Sequence, residues 1–338
     1  MSDQILSERP LITGMGAALV DLFADVDEPA LEALGSPKGS MTLVDAARAN
    51  ALRDGVKVHT YRPGGSAANT VAGLAGLGMQ GGFIGKIGDD ELGRVFRDSL
   101  TDLGVTFPVT PCDAADHPTG NCLVLVAPDA ERTMHTLLGA SVTTATPDLD
   151  DKLLDATGIL FCEGYVWDSP TAREAFLQAA ARVKSGGGRI GFSLSDTFCV
   201  ARHKQDFLDL FGRDIDILLA NFAEAQALLD VMEMADITAA MQKAGVDGTI
   251  TCGAEGAVIV CGDAVVHVDA HAVETVTDLT GAGDQFAAGY LCGVARGRDA
   301  QTCGRMGALA AAEVIQHFGP RPEKDLRAVF AEHGFEIG

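Results

Sequence analysis

The stretch of the chain that could most directly perform chemistry is Asp278–Leu291, DLTGAGDQFAAGYL. Gly281, Ala282 and Gly283 stand directly before a single carboxylate, Asp284, where an apolar pattern of helical period begins. At a strand-to-helix turn, these three main-chain amides could bind an anion such as phosphate. Asp284 would then lie beside that anion and could accept a proton from an alcohol as it attacks phosphorus. The simpler alternative, that Asp284 only caps a helix, does not explain both glycines.

A second glycine turn lies in RPGGSAAN, where Gly64 and Gly65 follow an alternating pattern typical of a strand. Small and apolar residues at helical spacing come next, and we predict that Ser66 caps this helix. Asn69 falls in its first turn. From the residues alone, Asn69 is as well explained as an ordinary polar residue at a helix start.

Two further glycine patterns do not support nucleotide-binding motifs. Gly76–Gly81, GLGMQG, matches the dinucleotide fingerprint by letter, but it follows a predicted helix and precedes a predicted strand. The fingerprint requires the reverse order, so we interpret this stretch as a helix-ending turn and reject an NAD-dependent oxidoreductase. In GGFIGKIG, Ile87 follows Lys86 where a phosphate loop requires Ser or Thr, so there is no Walker motif.

Other candidate residues are weaker. Arg202–Lys204 is predicted to be part of a solvated face. His267 and His271 are four residues apart on a predicted strand, where they lack the helical zinc-binding geometry, and we interpret them as structural.

Composition excludes several classes of protein. The chain of 338 residues is 47% hydrophobic and 21% charged, which is typical of a globular protein with a large core. Its formal net charge of −22 disfavours nucleic acid and anionic membranes as partners. An anionic ligand must therefore be attracted locally, by main-chain amides, a bound cation or a few Arg or Lys side chains.

The cysteines and the first ten residues indicate the cellular compartment of the protein. The 8 cysteines form no C-x-x-C pair and most lie in apolar runs, which predicts buried free thiols in a reducing compartment. The first ten residues, MSDQILSERP, lack the basic and apolar segments of a signal peptide. No stretch of roughly 18 apolar residues occurs, so we expect no membrane span and a cytoplasmic location.

The elements that must position these residues follow an α/β pattern. After Ala145, apolar strands alternate with amphipathic helices, which predicts a mainly parallel sheet covered on both faces. Two strand-rich segments, about 22–62 and 108–140, interrupt the alternation. We predict one α/β domain over residues 1–338, with these two insertions forming a small lid. Ligands of such sheets bind at the carboxyl ends of the strands.

Together the two glycine motifs resemble the signatures of the PfkB, or ribokinase-like, family of carbohydrate and nucleoside kinases. DLTGAGD is similar to the family pattern D-T-x-G-A-G-D, from which Leu279 departs, as Gln285 does from the smaller residue that usually follows. RPGGSAAN is similar to its GG-x-x-x-N turn at Gly64, Gly65 and Asn69. The resemblance covers essentially the whole chain. It implies a ribokinase-like three-layer α/β sandwich with a small β-rich lid, and phosphoryl transfer from ATP.

The resemblance also implies roles for the acceptor side of the site. Asp284 matches the catalytic base, which deprotonates a primary hydroxyl. The amides of Gly281, Ala282 and Gly283 match the anion hole. Asp21 resembles the carboxylate that accepts hydrogen bonds from two sugar hydroxyls, and the remaining sugar contacts are expected from Gly64, Gly65 and Asn69.

On the nucleotide side, the resemblance implies that Asn221 and Glu224, in NFAE, hold Mg²⁺ and its waters near the ATP phosphates. The same pair could equally be a helix cap with an acid in the first turn. Thr251, Gly253 and Gly256, in TCGAEG, are similar to the ATP-binding turn of the family.

Other roles on the nucleotide side depend on weaker matches. His317 lies where relatives pack adenine. Asp278 and Thr280 match residues that bind a monovalent cation in some relatives.

Within the family, three features favour a nucleoside over a free sugar. GMGAALVDL resembles the start of the adenosine-specific members, residues 28–55 supply helices to the lid, and TGNCLVLVAPDAERTM resembles a T-G-x-C segment followed by an arginine. Arg132 matches that arginine and would approach the γ-phosphate, although a solvated hairpin charge explains it equally well.

We therefore expect a monomeric or homodimeric kinase that binds ATP and converts adenosine to AMP. The alternative is a kinase for ribose, fructose or a keto-sugar acid. A non-catalytic nucleotide sensor is a third possibility, against which the intact Asp284 argues.

Overall fold

The computed structural model describes residues 11–129 and 131–337. The expectation about a signal peptide concerns residues outside this range. The strands are β1 (Leu11–Met15), β2 (Leu19–Asp25), β3 (Met41–Leu43), β4 (Thr60–Gly64), β5 (Gly81–Ile84), β6 (Gly120–Val126), β7 (Arg132–Leu137), β8 (Thr157–Glu163), β9 (Arg189–Ser193), β10 (Ile217–Asn221), β11 (Asp247–Thr251), β12 (Ala257–Cys261) and β13 (Ala264–Val268).

Helices connect most of these strands. The α-helices are α1 (Glu28–Ala33), α2 (Ala46–Asp54), α3 (Ser66–Gly76), α4 (Glu91–Thr101), α5 (Asp151–Ala156), α6 (Pro170–Ser185), α7 (Thr197–Leu210), α8 (Phe222–Leu229), α9 (Met234–Ala244), α10 (Ala282–Ala295), α11 (Ala300–Val314) and α12 (Leu326–Glu332). Short 3₁₀ turns lie at Gly139–Thr143, Thr146–Asp148, Gly164–Asp168 and Gly253–Glu255. Helix α3 ends at Gly76 and β5 begins at Gly81, so the predicted helix-ending turn is confirmed.

The central sheet has the strand order β13-β12-β11-β10-β9-β8-β1-β5. From β11 to β5 every neighbouring pair is parallel, and β12 and β13 add an antiparallel hairpin at one edge. Because parallel strands end at the same edge of a sheet, the carboxyl ends of β8, β10 and β11 bring Glu163, Asn221 and Thr251 to one side. This is the edge at which such sheets bind ligands.

Alternate residues of the central strands face two separate cores. Ile159 and Phe161 of β8 belong to the core that packs against α3, α10 and α11. Leu160 and Cys162, which alternate with these residues along β8, belong to the core under α6, α7, α8 and α9. Each face of the sheet is therefore covered by helices, and the predicted α/β fold with a mostly parallel central sheet is confirmed.

A second sheet has the strand order β3-β7-β6-β2-β4. Strand β2, which carries Asp21, pairs antiparallel with β4 and parallel with β6. The predicted insertions at about 22–62 and 108–140 supply most of this sheet, although β2 already begins at Leu19. The division of the chain into a core and a lid stays a prediction.

Some local predictions are wrong in detail. Residues 28–55, expected to supply helices, also contain a strand: two short helices, α1 and α2, are separated by β3. Asp27 and Asp45 cap them by accepting hydrogen bonds from main-chain amides, so each aspartate starts a new helix. All 8 cysteines are free, as predicted, but only five are buried, and Cys261 is exposed on the edge hairpin.

No helix in residues 11–129 and 131–337 has the length and hydropathy of a membrane span.

Candidate active site

Asp284 lies in the first turn of α10, where the first turn of α3 binds it from the opposite side. The Ser66 hydroxyl donates to Asp284 Oδ1 at 2.7 Å, and Asn69 Nδ2 donates to Oδ2 at 2.9 Å. The Thr70 hydroxyl also donates to the main-chain oxygen of Asp284, at 3.1 Å. Small residues in both helices permit this close approach. The carboxylate that follows the glycine turn is therefore held in one orientation from α3.

Two opposing effects set the proton affinity of Asp284. Burial raises its pKa, whereas the hydrogen bonds from Ser66 and Asn69 and the positive charge of Arg321 lower it. A half-buried carboxylate with a raised pKa, held beside free donors, is the environment expected of a general base. The arrangement goes beyond a helix cap, because Asp284 accepts no hydrogen bond from the amides of its own helix within the described chain.

The start of α3 differs from the prediction for Ser66. Gly65 occupies the N-cap position, and Ser66 is the first helical residue. The prediction that Ser66 caps the helix is wrong, because its hydroxyl is used by Asp284. Glu163, at the end of β8, takes over the capping function across the chain by accepting from Ala67 N at 2.7 Å.

Glu163 is fully enclosed and links two substrate-side turns. Its other oxygen accepts from Ala17 N, in the β1–β2 turn, at 2.8 Å. Burial raises its pKa to about 7, while the hydrogen bonds from Ala17 and Ala67 oppose that shift. Glu163 was not predicted as a site residue, although an acid at the end of the apolar strand ILFCEGY is a usable signal.

Two glycines are needed for steric reasons. Gly65 has φ +89°, and a Cβ there would lie 2.2 Å from the carbonyl oxygen of Ala17. Gly281 has φ +79°, and its Cβ would lie 2.5 Å from Pro320. Side chains at either position would separate turns that the site requires in contact.

The glycine turn before α10 presents unpaired amides. In the described chain, the N–H groups of Gly281, Gly283 and Asp284 have no hydrogen-bond partner, whereas Ala282 N donates to Leu279 O at 3.2 Å. Gly283 is exposed, and a Cβ there would meet nothing within 4 Å. The turn therefore fits an anion approaching from solvent, with two of the three predicted amides free.

Asp21 lies on β2 of the second sheet, with its carboxylate against Gly64. A Cβ on Gly64 would come within 2.9 Å of Asp21 Oδ2. Burial raises the pKa of Asp21 to about 7, and the charges of Arg321 and then Arg132 oppose the shift. The predicted substrate residues Asp21, Gly64, Gly65 and Asn69 thus meet where the lid joins α3.

Arg132, the first residue of β7, contacts the signature motif directly. Its Nη1 donates to Asp278 Oδ1 at 2.9 Å and to Thr280 Oγ1 at 2.8 Å. Burial opposes ionisation of Asp278, but the hydrogen bonds from Arg132, Gly319 and Thr280 lower its pKa to about 2. The two oxygen-bearing residues proposed for a monovalent cation therefore bind a guanidinium in this conformation.

The nucleotide-side candidates meet at the ends of β10 and β11. Asn221 pairs with Thr251 in the parallel register. Asn221 and Glu224 also form a capping box, in which Asn221 Nδ2 donates to Glu224 Oε1 at 2.6 Å and Glu224 N donates to Asn221 Oδ1 at 2.8 Å. Burial raises the pKa of Glu224 to about 7.

The turn after β11 holds the two predicted glycines. Gly253 (φ +59°) and Gly256 (φ +88°) both adopt left-handed backbone, and Gly256 packs against Val268. Oxygen ligands beside an open glycine turn suit Mg²⁺ held partly through water. No group of three His, Cys, Asp or Glu side chains suited to a metal occurs among the described residues.

Other candidates remain peripheral. His317 is bound to Glu313 at 3.2 Å. His267 lies on β13, whereas His271 lies beyond it and makes an edge-to-face contact with His333, with ring centroids 4.9 Å apart. Arg202 and Lys204 pair with Asp168 and Asp230.

Two further residues of this site were not anticipated. Gln285 is fully buried, and its Nε2 donates to the carbonyl oxygens of Asn69 and Pro320, each at 3.0 Å. Arg321 donates to Asn69 Oδ1 at 3.2 Å. Gln285 was visible only as a departure from the signature. Arg321 had no local signal, because its partners are distant in sequence.

Comparison with known proteins supports the inferred family. A model of the pfkB family carbohydrate kinases matches residues 41–325. The solved structure of an adenosine kinase from Sinorhizobium meliloti matches with a TM-score of 0.88 and 36% identity, covering 96% of this chain and 100% of that one.

Two characterised relatives differ in substrate. Aminoimidazole riboside kinase from Salmonella typhimurium is 31% identical over 242 residues, which is 69% of this chain and 74% of that protein. Fructokinase from Klebsiella pneumoniae is 28% identical over 262 residues, which is 76% of this chain and 85% of that protein.

Proposed function

The chain belongs to the pfkB family of carbohydrate kinases, and from that premise we propose that it transfers the γ-phosphate of ATP to the primary hydroxyl of a nucleoside, adenosine above all. Kinase activity follows from the family. The choice of acceptor and the roles of individual residues are our proposal.

One observation carries this proposal: Asp284 is oriented by Ser66 and Asn69 beside the free amides of Gly281 and Gly283. A base and an anion-binding turn are thereby placed on the same half-turn of backbone. In phosphoryl transfer the attacking hydroxyl must lose its proton while charge develops on the phosphoryl oxygens. Asp284 would accept the proton, and the free amides would stabilise the charge on the phosphoryl oxygens.

The residues would act in the following way. Asp21, when ionised, accepts hydrogen bonds from two hydroxyls of the sugar ring and so orients the primary hydroxyl toward Asp284. Asp284 accepts the proton of that hydroxyl as its oxygen attacks the γ-phosphorus in line with the leaving ADP oxygen. The amides of the glycine turn donate to the transferred group. Gly64, Gly65 and Asn69 shape the acceptor pocket.

Arg132 is proposed to serve the transition state from the lid. Its guanidinium already lies at Asp278 and Thr280, which directly precede the anion-binding turn. A small movement of β7 would bring it to the γ-phosphate and neutralise developing charge.

Mg²⁺, when bound, would supply positive charge beside the ATP phosphates. Asn221 and Glu224 would hold it with its waters, and Thr251, Gly253 and Gly256 would line the ATP. A monovalent cation at Asp278 and Thr280 would have to compete with Arg132, and a KCl titration of activity tests for it.

The preference for a nucleoside is supported by two similarities. The matched solved structure is described as an adenosine kinase, and the riboside kinase also takes a ribose that carries a base.

A sugar kinase is the second candidate. It is favoured by the similarity to a fructokinase, whose substrate needs no slot for a base. Since the sugar contacts proposed for Asp21 and Asn69 serve both substrates, the acceptor pocket alone does not separate the two candidates.

The test is release of ADP from Mg–ATP with adenosine, inosine, guanosine, ribose and fructose as acceptors. We expect the highest kcat/KM with adenosine and AMP as product. Turnover with free sugars only would refute the nucleoside proposal and favour the sugar kinase. We further propose a cytoplasmic monomer or homodimer, for which sedimentation gives the mass in solution.

A further inference from the structure

We propose that Arg321 is a positioning residue for the catalytic base: its guanidinium fixes the amide of Asn69 that holds Asp284, and its charge balances Asp284 and Asp21. This inference rests on the proposed function, in which Asp284 takes the proton of the acceptor hydroxyl.

The first support is a directed chain of hydrogen bonds. Arg321 Nε donates to Asn69 Oδ1 at 3.2 Å, and Asn69 Nδ2 donates to Asp284 Oδ2 at 2.9 Å. A side-chain amide has one accepting and one donating end. Because an arginine can only donate, it forces the oxygen of Asn69 toward itself and the NH₂ group toward the base.

The second support is that Arg321 is itself held in place. Its Nη1 donates to Ser99 Oγ, on α4, at 3.1 Å. The residues just before it are tied to the site, since Gly319 N donates to Asp278 Oδ2 at 3.0 Å and Gln285 Nε2 donates to Pro320 O at 3.0 Å. The loop that carries Arg321 is therefore fixed to the signature motif at two points.

The third support is electrostatic. Arg321 has no carboxylate within salt-bridge distance in the part of the chain that the structure describes, and its Nη2 is buried without a partner there. Its charge instead acts on Asp21 and Asp284, lowering the pKa of both carboxyls. Burial lowers the pKa of Arg321 to about 10, so it stays charged at neutral pH.

An arginine that only stabilised the fold would be energetically unfavourable at this position. Burying a charged group without a paired ion is strongly unfavourable. Besides Arg321, the charged groups around Asp284 are Asp21 from β2 and Glu163 from β8, both of which disfavour ionisation of a neighbouring acid. Arg321 therefore offsets this negative charge at Asp284, and at Asp21 it does so together with Arg132.

The test compares Arg321→Gln, Arg321→Lys and Ser99→Ala in the full chain, with kcat and kcat/KM measured against pH. For Arg321→Gln we expect kcat to fall roughly ten- to a hundredfold and the acid limb of kcat/KM to move to higher pH. Arg321→Lys should restore the acid limb, because the charge returns, but only part of kcat, because the hydrogen bond to Asn69 does not. Ser99→Ala removes only the remote partner and should change kcat less than about threefold.

Melting temperature and ATP affinity of each variant serve as controls for folding. A folded Arg321→Gln enzyme with the wild-type kcat and pH profile would overturn the inference. So would an Arg321→Lys variant whose acid limb matches that of Arg321→Gln, because the charge at this position would then not affect the proton affinity of the base.

Failure of the proposed function is a separate result. In that case the wild-type chain itself would not phosphorylate a nucleoside. If a sugar proves to be the acceptor, the same variants are tested with that sugar.

Discussion

Ser66 and Asp284, which are 218 positions apart, are joined by a hydrogen bond of 2.7 Å from the serine hydroxyl to the carboxylate. Ser66 begins α3 and Asp284 lies in the first turn of α10, so the bond joins the starts of the two helices that carry the family motifs. The first motif, which we propose shapes the acceptor pocket, therefore also orients the proposed base in the second motif.

Removing the hydrogen bond from Ser66 to Asp284 should weaken catalysis without unfolding the protein. A hydrogen bond to a charged group contributes about 1.5–3 kcal/mol, so we expect Ser66→Ala to lower kcat about tenfold. Ser66→Thr keeps a hydroxyl and should retain most activity. Steady-state kinetics with Mg–ATP and the best acceptor measure kcat of both variants. Equal activity of Ser66→Ala and wild type would show that the hydrogen bond is not needed for catalysis.

Much of this architecture was accessible from the sequence, for identifiable reasons. Hydrophobic period and turn residues are local, and they predicted the alternating α/β pattern and the β-rich lid. The signature motifs are local as well, so Asp284 and the glycine turn were predicted together.

What escaped prediction depends on distant pairs. The capping of α3 by Glu163 and the bond from Arg321 to Asn69 join residues far apart in sequence, and such contacts leave no periodic pattern. Ser66 shows the consequence: its residue type is typical of a helix cap, but tertiary structure assigns its hydroxyl to the base. Local preference was overridden by a contact that only the folded chain creates.

The acid side of the pH profile should reflect the site carboxylates. Burial raises the pKa of Asp21 and of Glu163 to about 7, and Asp21 can accept from substrate hydroxyls only when ionised. We therefore expect kcat/KM for the acceptor to fall as the pH drops from about 8 to about 6. In Asp21→Asn, kcat/KM for the acceptor should be low and should depend little on pH in this range.

Stability should move in the opposite direction in the same window. A carboxyl whose pKa is raised by folding contributes stability below its unfolded pKa, and this is lost as the pH rises through about 7. These two groups thus make the protein no less stable on mild acidification. A melting temperature that falls in parallel with activity between about pH 8 and 6 would attribute the loss to unfolding instead.

Arg132 should act on the transition state more than on binding. We expect Arg132→Ala to lower kcat roughly a hundredfold, with a much smaller rise in the acceptor's dissociation constant, because the guanidinium is proposed to neutralise charge on the transferred group. Arg132→Lys keeps the charge, so its kcat should lie between those of wild type and Arg132→Ala. Equal effects on kcat and on acceptor binding would remove Arg132 from the transition-state role.

Glu224 offers a test that separates metal binding from helix capping. Gln can also occupy its position in a capping box, so Glu224→Gln should leave the melting temperature close to that of wild type. The loss of the carboxylate should raise the Mg²⁺ concentration needed for half-maximal activity several-fold. An unchanged Mg²⁺ requirement would restrict Glu224 to its capping role.

The central claim is that Asp284 is the general base of a phosphotransferase, and the most direct measurement is the kcat of Asp284→Asn with Mg–ATP and the preferred acceptor. Asn can keep the hydrogen bond from Ser66 but cannot accept a proton. Loss of a general base should lower kcat by about 10²- to 10⁴-fold, while the affinity for ATP, measured by calorimetry, stays near that of wild type. A folded Asp284→Asn enzyme with a kcat close to wild type would contradict the account.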